Sequence, residues 1–222
     1  EKSCHRAAKK VLEACDIIQM GKQGQKEQIG QEFEECLTPV LKNQGAIDDA
    51  MEWLFALLDA LGIEPWTPVH SVTTFLDREH HTLQQKIEDS KRYPVGVNLP
   101  DGAATVAGLL EDLAHPPSPY LPKVEETVGN TPYLIVTVQR AELFGVNRFP
   151  IFPDSKIRDL ELVAVLARHE STAKHFVTYF RCNSKWYFYD DLAGRRGLPS
   201  FSYLEMIHKV AGTGVAFFYA RP

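Results

Sequence analysis

From Cys4 to about His115 the apolar residues recur mostly at intervals of three and four, the period of a helix that buries one face. Ala7, Ala8, Val11, Leu12, Cys15 and Ile18 trace such a stripe with Lys and Glu between them, until a Gln/Gly/Lys-rich connector from Gly21 to Glu27 breaks it. A second helix is expected from Gln28 to Leu41, with a thin stripe of Ile29, Phe33, Cys36 and Val40, and with Pro39 bending or ending it. The third helix has the strongest pattern. Between Ile47 and Leu61, Met51, Trp53, Leu54, Phe55, Leu57, Leu58 and Leu61 leave little polar circumference, as in a helix buried on several sides. Asp48 and Asp49 suit the positive end of its dipole, and Gly62 stops it. Shorter helices are expected at His80–Ser90 and Ala104–Ala114, before a proline-rich connection from Pro116 to Pro122.

Near residue 130 the period switches to two. Tyr133–Gln139, Leu160–Arg168, Phe176–Cys182, Lys185–Tyr189 and Val215–Ala220 are β-branched and aromatic runs bounded by turn residues. Asn183 and Ser184 form a tight hairpin between two of them, and a helix at Tyr203–Val210 precedes the last. Helices followed by an antiparallel sheet give an α+β class. We expect one domain over residues 1–222, with a mainly helical lobe at 1–115 and a mainly β lobe at 130–222.

Composition narrows the partners. The 222 residues are 44% hydrophobic, enough for a sizeable core and against a disordered chain. A formal net charge of −5 argues against a nucleic-acid-binding face. No apolar run has the length of a membrane span, and the N-terminus lacks the basic-then-apolar pattern of a signal peptide. The chain begins at Glu1 rather than Met, so further sequence is expected upstream. Cys4, Cys15, Cys36 and Cys182 are scattered with no C-x-x-C pair, which excludes a zinc ribbon. Reduced thiols in a cytoplasmic or nuclear protein are expected, with neither cofactor nor metal.

The chemistry concentrates between Leu160 and Asp191. His175 starts one strand and Asp190-Asp191 end the next, so pairing around Asn183-Ser184 brings the imidazole close to residue 190 or 191. A carboxylate that fixes the tautomer of an imidazole is the orienting half of a Cys-His-Asp arrangement. It is also a common structural pair across a hairpin.

The wording around that pair resembles the histidine box of the ubiquitin-specific proteases, of form G-H-Y-x-A-Y … W-Y-x-F-D-D. Lys174-His175-Phe176-Val177-Thr178-Tyr179 and Lys185-Trp186-Tyr187-Phe188-Tyr189-Asp190-Asp191 carry the likeness. Tyr133–Arg140 resembles the family's L-x-x-x-L-x-R strand, and Phe152-Pro153 with Leu160–Leu166 its F-P … Y-x-L-x-A-V-I segment. Ala216-Phe217-Phe218-Tyr219 is similar to the closing A-Y-x-L-F-Y strand. The resemblance implies a papain-like cysteine-protease fold of this type, a helical lobe packed on an antiparallel sheet lobe.

It also implies an earlier cysteine box, N-x-G-N-T-C-Y-x-N-S-x-L-Q, opening the central helix. Asn43 through Leu54 fits that frame, with Asn43 at the oxyanion-stabilising position, Gly45 at the box glycine and Leu54 at the box leucine. The nucleophile position then holds Asp48. A carboxylate is a poor nucleophile toward an amide, and its charge repels the developing oxyanion. Lys174 replaces the glycine before the histidine, and the short span from Asp48 to His175 holds no paired zinc cysteines, so a reduced or absent fingers lobe is expected. What the resemblance implies is a catalytically inactive domain kept as a protein-interaction or scaffold module, its partner another protein such as ubiquitin or a ubiquitin-like protein. Two alternatives stay open: an active cysteine isopeptidase with a displaced nucleophile, and a module that binds ubiquitin without cutting it. Asp48 and His175 forming a carboxylate–imidazolium pair competes with Asp48 acting only as a helix cap.

Other clusters are weaker. Cys36 is flanked by Glu34 and Glu35, which disfavour a thiolate, whereas Cys4 beside His5 at a helix start favours one. Asp77, Glu79, His80 and His81 resemble a metal cluster, but adjacent histidines on a helix diverge by about 100° and a solvated face is expected. His115, His169 and His208 have no partner legible in the sequence. Arg181, Lys185, Arg195 and Arg196 make a modest basic edge, and Trp66 between Pro65 and Pro68 is either a core residue or an exposed anchor.

Overall fold

A computed structural model describes residues 66–77, 79–98, 101–116, 121–138, 149–169, 175–182, 184–190 and 199–222, all within one compact unit, Trp66–Pro222. The helices expected before Gly62, together with Asn43, Asp48, Cys4, Cys15 and Cys36, lie outside the described residues.

Thirteen strands and two helices are described. β1 (Thr67–Asp77), β2 (Thr82–Arg92), β3 (Val95–Val97), β4 (Ala104–Thr105), α1 (Val106–Ala114), β5 (Lys123–Val128) and β6 (Tyr133–Val138) come first. β7 (Ile151–Phe152), β8 (Lys156–Ile157), β9 (Leu160–Arg168), β10 (Phe176–Cys182), β11 (Lys185–Tyr189), β12 (Ser200–Phe201), α2 (Tyr203–Val210) and β13 (Gly214–Ala220) follow. The main sheet runs β12-β11-β10-β9-β13-β6-β3, with β8 pairing on β9. All pairs in it are antiparallel except β3 with β6.

The expected strands after residue 130 are present, and both expected helices at Ala104–Ala114 and Tyr203–Val210 are found. Each helix start is capped. Thr105 Oγ1 accepts from the Gly108 amide at 3.1 Å and Asp154 Oδ2 from the Ala107 amide at 2.8 Å, satisfying two of the four orphan donors of α1. Ser202 and Glu205 form a reciprocal capping box on α2. α2 buries Met206 and Val210 completely, and its basic last turn, His208 and Lys209, complements the dipole.

The core follows the middle of the sheet. β13 lies between β6 and β9, so Phe217 has Val136 on one side and Val165 on the other, and all three are 0% exposed. Gly214 opens β13 where only hydrogen fits: a Cβ there would lie 2.9 Å from the Phe217 ring and 3.0 Å from the Val210 carbonyl.

From Thr67 to Val97 the chain departs from the helical expectation. His80–Ser90 is not a helix: β2 occupies Thr82–Arg92, and β1, β2 and β5 form a separate three-stranded sheet in the order β2-β1-β5. Leu83 and Ile87 stand four residues apart, a spacing that suits a helical stripe. A spacing of four also equals two strand periods, and in β2 it places both side chains on one face of the sheet. The stretch where a reduced fingers lobe was expected thus carries an 11-residue hairpin arm.

At the tip of that hairpin, Asp77 organises the turn. Its Oδ1 accepts from the Glu79 amide at 2.9 Å and the His80 amide at 3.3 Å, and its Oδ2 pairs with His80 Nδ1 at 2.8 Å and Gln84 Nε2 at 2.7 Å. The hydrogen bond from His80, then that from the Glu79 amide, hold the Asp77 carboxyl below the usual carboxylate range. A depressed carboxylate stabilises the fold above its unfolded pKa of about 4, and that stability is lost as pH falls through the folded value. Amide exchange at Glu79 and His80 is therefore expected to quicken as pH falls below about 4, after correction for intrinsic rates. Asp77→Asn should remove that acid-dependent step.

Candidate active site

The site grows from three consecutive strands, β9, β10 and β11, paired side by side. β10 and β11 pair with Cys182 opposite Lys185, leaving a two-residue turn in which Ser184 has a φ of 63°. The ladder continues to Thr178 opposite Tyr189, so the next position sets Val177 against Asp190. His175, two residues before Val177, lies on the same face and diagonal to Asp190, a geometry within reach of long side chains. The His175 Nε2 to Asp190 Oδ1 distance is 2.7 Å, and the side chains are only 16% and 10% exposed.

β9 holds the histidine from the other side. Phe176 pairs with Arg168, and beyond it the His169 amide donates to the His175 carbonyl at 2.8 Å. The two imidazoles lie with centroids 5.6 Å apart and planes tilted by 50°. Beneath them, the same face of β10 and β11 is an aromatic row. Tyr179 packs on Phe188 at 5.1 Å and on Phe201 at 6.2 Å, and Trp186 faces Tyr203 at 6.4 Å. Val177, Tyr179 and Trp186 are all buried, so the imidazole and carboxylate stand at the rim of a packed layer that restricts their rotamers.

An ionised Asp190 accepts from Nε2–H, so Nδ1 carries the lone pair that can take a proton. The carboxylate then stabilises the imidazolium that results. This arrangement can orient a general base.

Of the residues singled out in the sequence, the structure brings His175 and Asp190 together; Asn43, Asp48, Lys174 and Asp191 lie outside the described residues. His169, without a legible partner in the sequence, is the residue missed. Of the four cysteines, Cys182 alone is among the described residues, and it is not placed to serve His175. Seven residues along one strand, an odd number, put it on the opposite face and about 20 Å away. His80 and His81 sit on a hairpin turn rather than a helix, and no group of three or more metal-ligating side chains occurs among the described residues. In the basic edge, Arg181 is paired with Glu161 at 2.7 Å. Trp66 is 46% exposed and meets Tyr93 edge-on at 5.9 Å, so it is not a core residue. No helix among the described residues is long and apolar enough to cross a membrane.

No protein-family model and no curated protein matches the sequence. The solved structures that share the fold include two of one module. One is the SAGA DUB module Ubp8/Sgf11/Sus1/Sgf73 bound to monoubiquitin, with a TM-score of 0.59 at 11% identity, covering 87% of this chain and 53% of the matched one. The other is the same module bound to ubiquitin aldehyde, with a TM-score of 0.57 at 12% identity, covering 87% and 54%. This chain spans about half the length of those it matches. At such identities the likeness is one of fold: a sheet-rich α+β architecture of ubiquitin-specific-protease type.

Proposed function

We propose that this chain is a catalytically inactive ubiquitin-specific-protease-like domain that works by binding another protein. The observation that carries the reading is the hydrogen bond from His175 Nε2 to Asp190 on a sheet of this type, which keeps the orienting half of the machinery. The sequence frame places Asp48, not a cysteine, at the nucleophile position, with Asn43 at the oxyanion position. With a carboxylate in that place the imidazole has no thiol to deprotonate, and attack on an isopeptide carbonyl is opposed by charge. Asp48, Asn43, His175 and Asp190 are then vestiges of a triad and its oxyanion hole. The papain-like pairing of a helical lobe with the sheet, as one domain over residues 1–222, belongs to the same proposal.

The displaced-nucleophile reading loses Cys182 to strand geometry. Retained binding of ubiquitin or a ubiquitin-like protein is favoured as the form of the interaction, because both structural neighbours were captured with ubiquitin or its aldehyde. Two assays test the proposal. Ubiquitin carrying a fluorophore on its C-terminal amide should be left uncleaved, and unmodified ubiquitin should give saturable binding in a calorimetric titration. Release of the fluorophore would refute inactivity. Failure to saturate at millimolar ubiquitin would leave an inactive domain whose partner is not ubiquitin.

A further inference from the structure

β2 is the edge of its three-stranded sheet, and every residue from Thr82 to Lys91 is exposed. A long edge strand presents a row of backbone donors and acceptors that template pairing with another strand. Natural edges usually prevent this with like charges that meet when two copies approach. Here the charges run the other way. Lys86, Ile87 and Glu88 form a charge-inverted palindrome centred on Ile87.

We propose that two copies of this chain associate through β2, antiparallel and about a two-fold axis at Ile87, to give a continuous six-stranded sheet. This register overlaps the whole strand, from Thr82 opposite Arg92 of the second copy to the reverse. It sets Lys86 against Glu88 of the second copy, twice per dimer, in exchange for the 2.7 Å ion pair these two side chains make within one strand. The neighbouring two-fold registers are disfavoured, because an axis at Lys86 or at Glu88 brings like charges face to face.

The other face of the sheet agrees. Val72 pairs with Ile87 across β1 and β2, so the axis lines up Val72, Ile87, Ile87 of the second copy and Val72 of the second copy in one row. Ile87 is 62% exposed and Leu83 66%, apolar surface the pairing would cover. The contact is isologous, so it closes as a dimer instead of growing into a filament. An interface of one strand pair is small, and a dissociation constant in the range of about 10–100 µM is expected.

Sedimentation of the full chain from about 1 to about 300 µM tests this. The wild-type chain should pass from monomer to dimer. Lys86→Glu should weaken the dimer by at least about tenfold, because two like-charge pairs replace two opposite ones. The double exchange K86E/E88K should restore it. These residues are on an exposed strand, and unchanged circular dichroism and melting temperature confirm that each variant folds. A monomer throughout, a dimer indifferent to K86E, or a double variant that fails to recover would each overturn the proposal. So would a monomeric chain whose β2 amides become protected only on adding ubiquitin, since the edge would then serve that partner. Neither result depends on whether the chain hydrolyses ubiquitin.

Discussion

Asp48→Cys is expected to create a thiol that ubiquitin carrying a C-terminal electrophile labels, adding the mass of one ubiquitin. On the proposed reading residue 48 stands where the nucleophile of ubiquitin-specific proteases does, and Asp190 holds the His175 ring through Nε2. A thiol placed there would give its proton to the imidazole, and the thiolate sulfur would form the bond to the electrophilic carbon. General-base assistance of this kind typically contributes about 10²–10⁴-fold, so adding His175→Ala to Asp48→Cys should slow labelling by that order. Asp190→Ala in the same background should also slow it, by releasing the ring rather than removing the base. A small thiol-reactive reagent in excess should still modify the introduced thiol at an ordinary rate. Labelling of the variant no faster than that of the wild-type cysteines would show that Asp48 does not occupy the nucleophile's place.

Phe217→Ala should destabilise the fold by about 3–5 kcal/mol, the usual cost of emptying an aromatic site in a packed core. Phe217 is 0% exposed at the centre of β13, between Val136 and Val165, with its ring against the backbone of Gly214. Domains of this size hold only about 5–15 kcal/mol in total, and the thermal midpoint should fall by roughly 10 °C. Phe218, on the other face of the same strand and only partly buried, is the control: Phe218→Ala should cost clearly less in the same denaturant titration. Because β9 lies between β13 and β10, loosening β13 should also loosen the strand whose end carries His169.

The strands after Tyr133 were legible because their alternation is imposed by burial. In Leu160–Arg168, Leu160 and Leu162 are buried, then Val165 and Ala167; each half alternates, and the phase shifts by one residue between Leu162 and Ala164, where the register with β13 slips. The His175–Asp190 contact was legible for a related reason: a two-residue turn fixes the register, and register fixes which side chains meet. The partnership of His169 was not, because the connection between β9 and β10 is longer and sequence does not set the pairing across it.

β2 failed for the opposite reason to β9. Exposed on both faces, it has no core to demand alternation, and the four-residue interval between Leu83 and Ile87 suits a helix and a strand equally. β1 did carry a signal, in Val69, Val72, Thr73, Thr74 and Phe75, whose branched and aromatic side chains suit a pleated surface better than a helix. β5 reads Val124-Glu125-Glu126-Thr127-Val128, a short run without apolar-polar alternation, behind the prolines before it.

Incubating the wild-type chain with ubiquitin bearing a thiol-reactive C-terminal electrophile, and weighing the intact protein, tests most directly whether this fold has lost its nucleophile. The expected result is the unmodified mass, under conditions where an active cysteine protease of the same fold is fully converted. A stoichiometric ubiquitin adduct on Cys4, Cys15, Cys36 or Cys182 would contradict it.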